Sequence, residues 1–315
     1  MTLGAVDAAA IADQFGLGSD AVLSGPTARG ELGQVWRLAT ERGTWAVKEH
    51  FEPQPAAEAE AHAAFQDLVR AAGVPAPAVV RTPSGDVIVP LGSSTARVYE
   101  WVDLRDADTN LDPLLVGAAV AAIHRVRAHS SEAVHRWYTE PVGATSWDEL
   151  VQRSRAARAP FAEQLAVACD ELVASERLLE SPAALQICHC DLFADNLRST
   201  TAGDVCIIDW ENCGSADPSQ ELAVVLFEFG RDTTTRARAL YEAYIDSGGP
   251  GRVTGRGSFS MAIAQLGHIG ERACRHWLDA TQTGARRAHS VEQIEEFLGA
   301  VISPALIDCL LDAIH

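Results

Sequence analysis

Two short segments hold the residues whose types and spacing could do chemistry. His189-Cys190-Asp191-Leu192-Phe193-Ala194-Asp195-Asn196 sets a carboxylate and an amide five residues apart. Ile207-Ile208-Asp209-Trp210-Glu211 returns a second carboxylate thirteen residues after Asn196. Phosphoryl transfer uses such a set. It needs a carboxylate to orient and deprotonate an acceptor hydroxyl, and oxygen ligands to hold Mg²⁺ against nucleotide phosphates. A loop can supply the base and one ligand, and a hairpin of about a dozen residues can return a second carboxylate to the same metal. Helix caps or Asx turns are the alternative, but two segments at compatible spacing favour chemistry.

Several elements must position these groups. A short helix is expected in the first twenty residues, where Val6, Ala10, Ile11 and Phe15 recur at near-helical spacing. Gln34–Ala39 and Thr44–Lys48 alternate across Glu41-Arg42-Gly43, which predicts a hairpin with Gly30 and Gly33 ahead of it. Residues 56–72 form helix throughout and stop at Gly73, with Pro75 and Pro77 beyond. Short strands are expected near Val87–Val89 and Arg97–Trp101. Thereafter the pattern predicts helices over 113–129, 146–156, 160–180, 219–230, 233–246, 258–279 and 291–314. Gln186–Trp210 is the exception, with apolar runs flanking a polar turn at Thr200–Asp204. The layout is α+β and two-lobed, divided as 1–102 and 103–315.

The 315 residues carry 25 basic and 43 acidic side chains, a formal charge of −18. That balance opposes nucleic acid and suits cationic partners, or simply keeps the surface soluble. The N-terminus has no basic segment ahead of an apolar stretch, and no apolar run nears the ~18 residues of a membrane span. Seven cysteines without a C-x-x-C pair read as reduced thiols. The expectation is a soluble, cytoplasmic protein bound to neither nucleic acid nor membrane. Consecutive Cys188-His189-Cys190 points its side chains to opposite faces of a strand and lacks a second ligand pair, so zinc is disfavoured.

The 189–211 residues resemble the aminoglycoside phosphotransferase family, small-molecule relatives of protein kinases, and share the kinase pattern H-R-D-x-x-x-x-N. The resemblance implies a bilobal protein-kinase-like fold with a small β-sheet N-terminal lobe and a mainly helical C-terminal lobe. It also implies ATP and Mg²⁺, Asp191 as catalytic base, Asn196 and Asp209 as metal ligands, and His189 as a scaffold for the loop. Two departures stand out: Cys190 replaces the family's usual Gly, and Trp210-Glu211 follows Asp209 where protein kinases have Phe-Gly. With no A-P-E segment following, the latter favours a small-molecule kinase.

Lys48 ends Trp45-Ala46-Val47-Lys48, which resembles the kinase strand whose lysine reaches the nucleotide phosphates and pairs with a helix glutamate. It is the sole lysine; the other 24 basic residues are arginine, whose planar fork cannot replace a compact ammonium. Glu60 is the expected partner and Glu58 the alternative, since the two point in different directions on a helix. Gly30 and Gly33 are expected to cover phosphates. Main-chain groups near Glu100 and Val102 match the family's adenine-binding hinge. Asp217 reads as an N-cap, Glu221 as a brace for the loop, and His124 as a buried structural residue.

The acceptor is expected to meet the helical region, with Glu228, Asp232, Glu271 and Asp279 as acidic candidates and Trp277 as a stacking wall. His268, Glu271 and Arg275 share one face of helix 258–279, which reads first as a solvated stripe; facing a cleft, Glu271 and Arg275 would line it. Amines, sugars, homoserine-like amino alcohols and choline-like alcohols all fit the family. The expected function is transfer from Mg-ATP to a hydroxyl of a small polar or cationic molecule, an antibiotic or a metabolite. The alternatives are a housekeeping homoserine-, choline- or sugar-kinase-like enzyme and a catalytically silent nucleotide-binding module.

Overall fold

The computed structural model describes residues 5–30 and 33–315, so Glu31 and Leu32 of the expected phosphate-covering turn lie outside the described residues. The chain forms two compact units. One comprises Met1–Asp108 with Ala194–Cys213, the other Thr109–Phe193 with Gly214–His315.

The chain opens with α1 (Ala5–Gln14), β1 (Val22–Arg29), β2 (Gly33–Thr40), β3 (Gly43–His50), α2 (Ala56–Ala71), β4 (Val79–Val80), β5 (Val89–Leu91) and β6 (Ser94–Glu100). The strands make one antiparallel sheet in the order β1-β2-β3-β6-β4, with β5 also on β6. Strand alternation sorts its faces. Trp36, Leu38, Val47, Ala96 and Val98 pack beneath Ala8, Ile11 and Ala12 of α1 and Phe15 just after it. Each large apolar side chain buried there contributes about 1.5–3 kcal/mol. On the other face, Lys48 of β3 stands opposite Arg97 of β6, and Ala46 opposite Tyr99. Gly33 is required where β2 crosses β3, because a Cβ would lie 2.4 Å from the Glu49 carbonyl oxygen.

The second unit begins with α3 (Pro113–Arg125), α4 (Ala144–Ala156), α5 (Ala162–Glu176) and β7 (Gln186–Cys188). Between Phe193 and Ala194 the chain passes to the first unit and forms the hairpin β8 (Leu197–Ser199) and β9 (Val205–Ile207). It then returns through β10 (Gly214–Ala216), paired with β7, to α6 (Pro218–Gly230), α7 (Thr234–Asp246), α8 (Ser260–Leu278), α9 (Gly284–Gly299) and α10 (Pro304–Ile314). Trp147, Leu150, Phe161, Leu165, Cys274, Ile294 and Phe297 form the core of α4, α5, α8 and α9. No cysteines are bridged. Among the described residues, no single helix is long and apolar enough to cross a membrane.

Two element expectations need correction. The single helix expected over 291–314 is two helices bent by 58°. Pro304 has no N–H to continue α9, and Ser303 caps α10 by accepting from the Leu306 N–H at 3.2 Å. Strand β1, not foreseen, is mostly exposed and so carries no apolar alternation.

Candidate active site

In the first unit, the β8–β9 hairpin places Asn196 beside the metal-ligand candidate of the second segment. Leu197 pairs with Ile207, and the Ile208 N–H donates to the Asn196 carbonyl at 2.9 Å, so Asp209 emerges next to Asn196. Asp209 adopts a left-handed backbone with φ +58°. Trp210 fixes the turn: it is buried, gives its ring N–H to the Ile207 carbonyl at 3.0 Å, and meets Phe65 of α2 edge-on at 5.9 Å.

Lys48 Nζ lies 2.7 Å from Asp209 Oδ1 and 2.7 Å from Glu211 Oε2. Burial opposes its charge, but the two carboxylates outweigh this and raise its pKa above the usual lysine value. Glu211 Oε1 meets His50 Nε2 at 2.9 Å, Arg97 Nη1 at 3.4 Å and the Tyr99 hydroxyl at 3.4 Å. Burial alone would raise the Glu211 carboxyl. The His50 hydrogen bond and the charges of Lys48, His50 and Arg97 instead hold it well below the ordinary carboxylate range. Burial and the nearby carboxylates push the Tyr99 hydroxyl far up, so it stays a donor.

The expected pair of Lys48 with a helix α2 glutamate is not formed. Glu60 bonds Arg81 at 2.7 Å on the solvent side of α2, and Glu58 is exposed there too. The helix buries Ala59, His62, Ala63, Phe65, Gln66 and Val69 instead. Glu211 takes the position beside Lys48. Its signal was available two residues after Asp209, inside a segment read for Asp209 alone. Gly30 donates its N–H to the Gly33 carbonyl at 2.9 Å, ahead of β2. The Glu100 N–H donates to the Ala78 carbonyl at 2.9 Å, and Val102 lies just past the end of β6.

In the second unit, Asp191 is half-buried in the loop after β7. Cys190 before it has φ +66°, a conformation that costs a residue with a Cβ about 1–2 kcal/mol. The loop is tied from beneath. Glu221 of α6 accepts from the Cys190 N–H and from the His189 N–H. It also accepts from His124 Nε2 at 2.6 Å, while His124 Nδ1 meets the Tyr244 hydroxyl at 2.8 Å. Burial would raise the Glu221 carboxyl, but the His124 hydrogen bond and the charges of His124 and His189 lower it. Asp217 caps α6 by accepting from Ser219 N–H at 2.8 Å, and also holds the Ala183 and Ala184 N–H groups. Gln265 of α8, which the sequence did not single out, donates to the Cys190 carbonyl at 3.0 Å and reaches Asp191 Oδ1 at 3.5 Å. Its only sequence signal is an amide after the apolar run Met261–Ala264.

The acceptor candidates do not converge. Glu228 pairs with Arg231 at 3.1 Å, and Asp232 is exposed beyond α6. Glu271 bonds Arg275 at 2.8 Å and His268 at 3.3 Å. The stripe on α8 is not uniformly solvated, because His268 is buried and stacks on Trp137 at 5.4 Å. Trp277 is partly buried against the helical core and meets Phe161 edge-on at 5.3 Å. Asp279 lies just past α8 and accepts from the Thr281 N–H and hydroxyl.

The sequence profile of the phosphotransferase enzyme family matches residues 26–256, well over half of the chain. No curated protein matches it in sequence. Among solved structures, spectinomycin phosphotransferase in complex with ADP and spectinomycin is similar at TM-score 0.66, with 15% identity over 93% of this chain and 92% of that one. The aminoglycoside phosphotransferase of Alicyclobacillus acidocaldarius gives 0.59, with 18% identity over 91% and 92%. A microcompartment-associated aminopropanol kinase gives 0.56, with 16% identity over 92% and 95%. At these identities the likeness is one of fold: an α+β, kinase-like arrangement with a small antiparallel sheet and a helical body. The chain belongs to the phosphotransferase enzyme family and is a phosphotransferase acting on a hydroxyl group of a small molecule.

Proposed function

We propose that the protein transfers the γ-phosphoryl group of ATP, with Mg²⁺, to a hydroxyl of a small polar or cationic molecule. The carrying observation is the sole lysine, held at 2.7 Å from both Asp209 and Glu211 on the sheet face opposite the core. A compact ammonium held this way is suited to nucleotide phosphates. The donor set fits the metal: Asp209 and Asn196 offer hard oxygens, and the Asp209 side chain remains 35% exposed. When bound, Mg²⁺ would neutralise charge on the phosphates. Asp191 would orient the acceptor hydroxyl and take its proton as the oxygen attacks phosphorus. Lys48 would hold the α- and β-phosphates, and the hinge near Glu100 and Val102 the adenine.

The charge of −18 supports a cationic acceptor. The relatives named for spectinomycin and for aminopropanol both act on hydroxylated amines, so an antibiotic and an amino-alcohol metabolite are the two acceptor readings. Retention of Lys48, Asp191, Asn196 and Asp209 favours an active enzyme over a silent nucleotide-binding module. The test incubates the protein with Mg-ATP and a panel of hydroxylated amines, sugars and aminocyclitol antibiotics, with D191N as control. A phosphorylated product made by wild type and not by D191N is expected. Transfer to no member, with ATP bound, would leave the silent module.

A further inference from the structure

The left-handed Cys190 residue is gripped on both sides of its Cα. Its N–H donates to Glu221 of α6, and its carbonyl accepts from Gln265 Nε2 of α8 at 3.0 Å. The same nitrogen faces Asp191 Oδ1 at 3.5 Å. Both neighbours are acceptors and a carboxamide nitrogen carries two hydrogens, so its orientation is dictated: nitrogen toward the loop. Glutamate at 265 would have no hydrogen to give and would set a second carboxylate against Asp191. Leucine would fill the space and bond neither group. Gln265 is 4% exposed; its Nε2 is bonded to the loop while its Oε1 is buried without a partner among the described residues, a cost that the nitrogen's bonds to the loop must offset.

We propose that Gln265 is a positioning residue for Asp191. It clamps the carbonyl of the strained Cys190 residue while Glu221 clamps that residue's N–H, and so aims the Asp191 carboxylate. Cysteine can then occupy a left-handed position that would otherwise suit glycine. The clamp stands on geometry alone; its effect on turnover rests on the reading of Asp191 as catalytic base.

The test is a double-mutant cycle of wild type, Q265L, C190G and the double variant. Q265L should lower the urea-unfolding midpoint in both backgrounds, and by less with the strained cysteine, which can relax once released, than with glycine at 190, which has no strain to relieve. A midpoint unmoved by Q265L in both backgrounds, or a larger loss with cysteine than with glycine, would overturn the clamp, whether or not any acceptor is phosphorylated. In turnover with Mg-ATP and 1-amino-2-propanol, spectinomycin or water as acceptor, Q265L should lose about tenfold or more in kcat with ATP KM within about twofold. Q265E, which keeps volume and polarity, should be as impaired, and C190G should restore part of the Q265L loss. Full kcat in Q265E would contradict the positioning role. Wild type transferring to no acceptor would sink the proposed function and the catalytic half of this inference, leaving the unfolding cycle to decide the clamp.

Discussion

The Lys48 cluster and the Glu221 cluster both draw carboxylates out of water, but only the first keeps a side open. The Lys48 and Asp209 side chains are 16% and 35% exposed, whereas those of His124 and Glu221 are 0% and 1% exposed. Around Lys48 the partners are charges, which can be exchanged for a phosphate or a metal without leaving an N–H unpaired. Around Glu221 they are backbone and imidazole N–H groups, each costly to leave unmade in a closed interior. One cluster is built to change partners and the other to keep them.

The largest expected effect falls on the loop that the permanent cluster holds. D191N should lose about 10²–10⁴-fold in kcat, while nucleotide affinity measured by calorimetry stays within about threefold. Near-normal turnover would remove the base assignment.

E221A should then cost about 3–5 kcal/mol in urea unfolding, because it strands His124 and two backbone N–H groups in the core. A cost under about 1 kcal/mol would erase the contrast between the clusters. The same residue sets a pH dependence. The Glu221 carboxyl is lowered in the folded state. Its contribution to stability is therefore complete above the unfolded value of about 4.3 and is lost as pH falls below it. E221Q should flatten this acid limb of the stability profile; an unchanged limb would show that Glu221 is not lowered.

On the open side, D209N should weaken Mg-ATP binding by about tenfold or more, a change of about 1.4 kcal/mol, with little effect on unfolding. Unchanged Mg²⁺-dependent affinity would contradict the ligand role. The smallest effect belongs to E60Q. Its pair with Arg81 lies in solvent, so stability should move by less than about 0.5 kcal/mol and nucleotide affinity not at all. A loss of ATP affinity in E60Q equal to that in E211Q would restore the helix glutamate as the Lys48 partner.

Much of this was legible because it lies in local pattern. Alternation gave β2 and β3, so Lys48 fell on a strand, and the spacing of Asn196 and Asp209 required a hairpin return. Asp217 and Glu221 declared themselves through a helix start. What was hidden depends on tertiary contact. Nothing local says that α2 turns Glu60 toward Arg81, or that Glu211 reaches across to β3. Gln265 is separated from Asp191 by 74 residues of chain. Trp277 reads as a stacking wall, and only the structure shows that it packs partly buried against Phe161 at the edge of the helical core.

The most direct measurement uses the sole lysine. An amine-reactive acyl-phosphate derivative of ATP should label one internal site, Lys48, and excess Mg-ATP should suppress that labelling, read from one peptide by mass spectrometry. K48R should meanwhile lose far more turnover than a conservative surface change does, because a guanidinium cannot occupy the space between phosphate and carboxylate. If ATP binds measurably yet fails to protect Lys48, and K48R keeps full activity, then Lys48 does not hold the nucleotide phosphates.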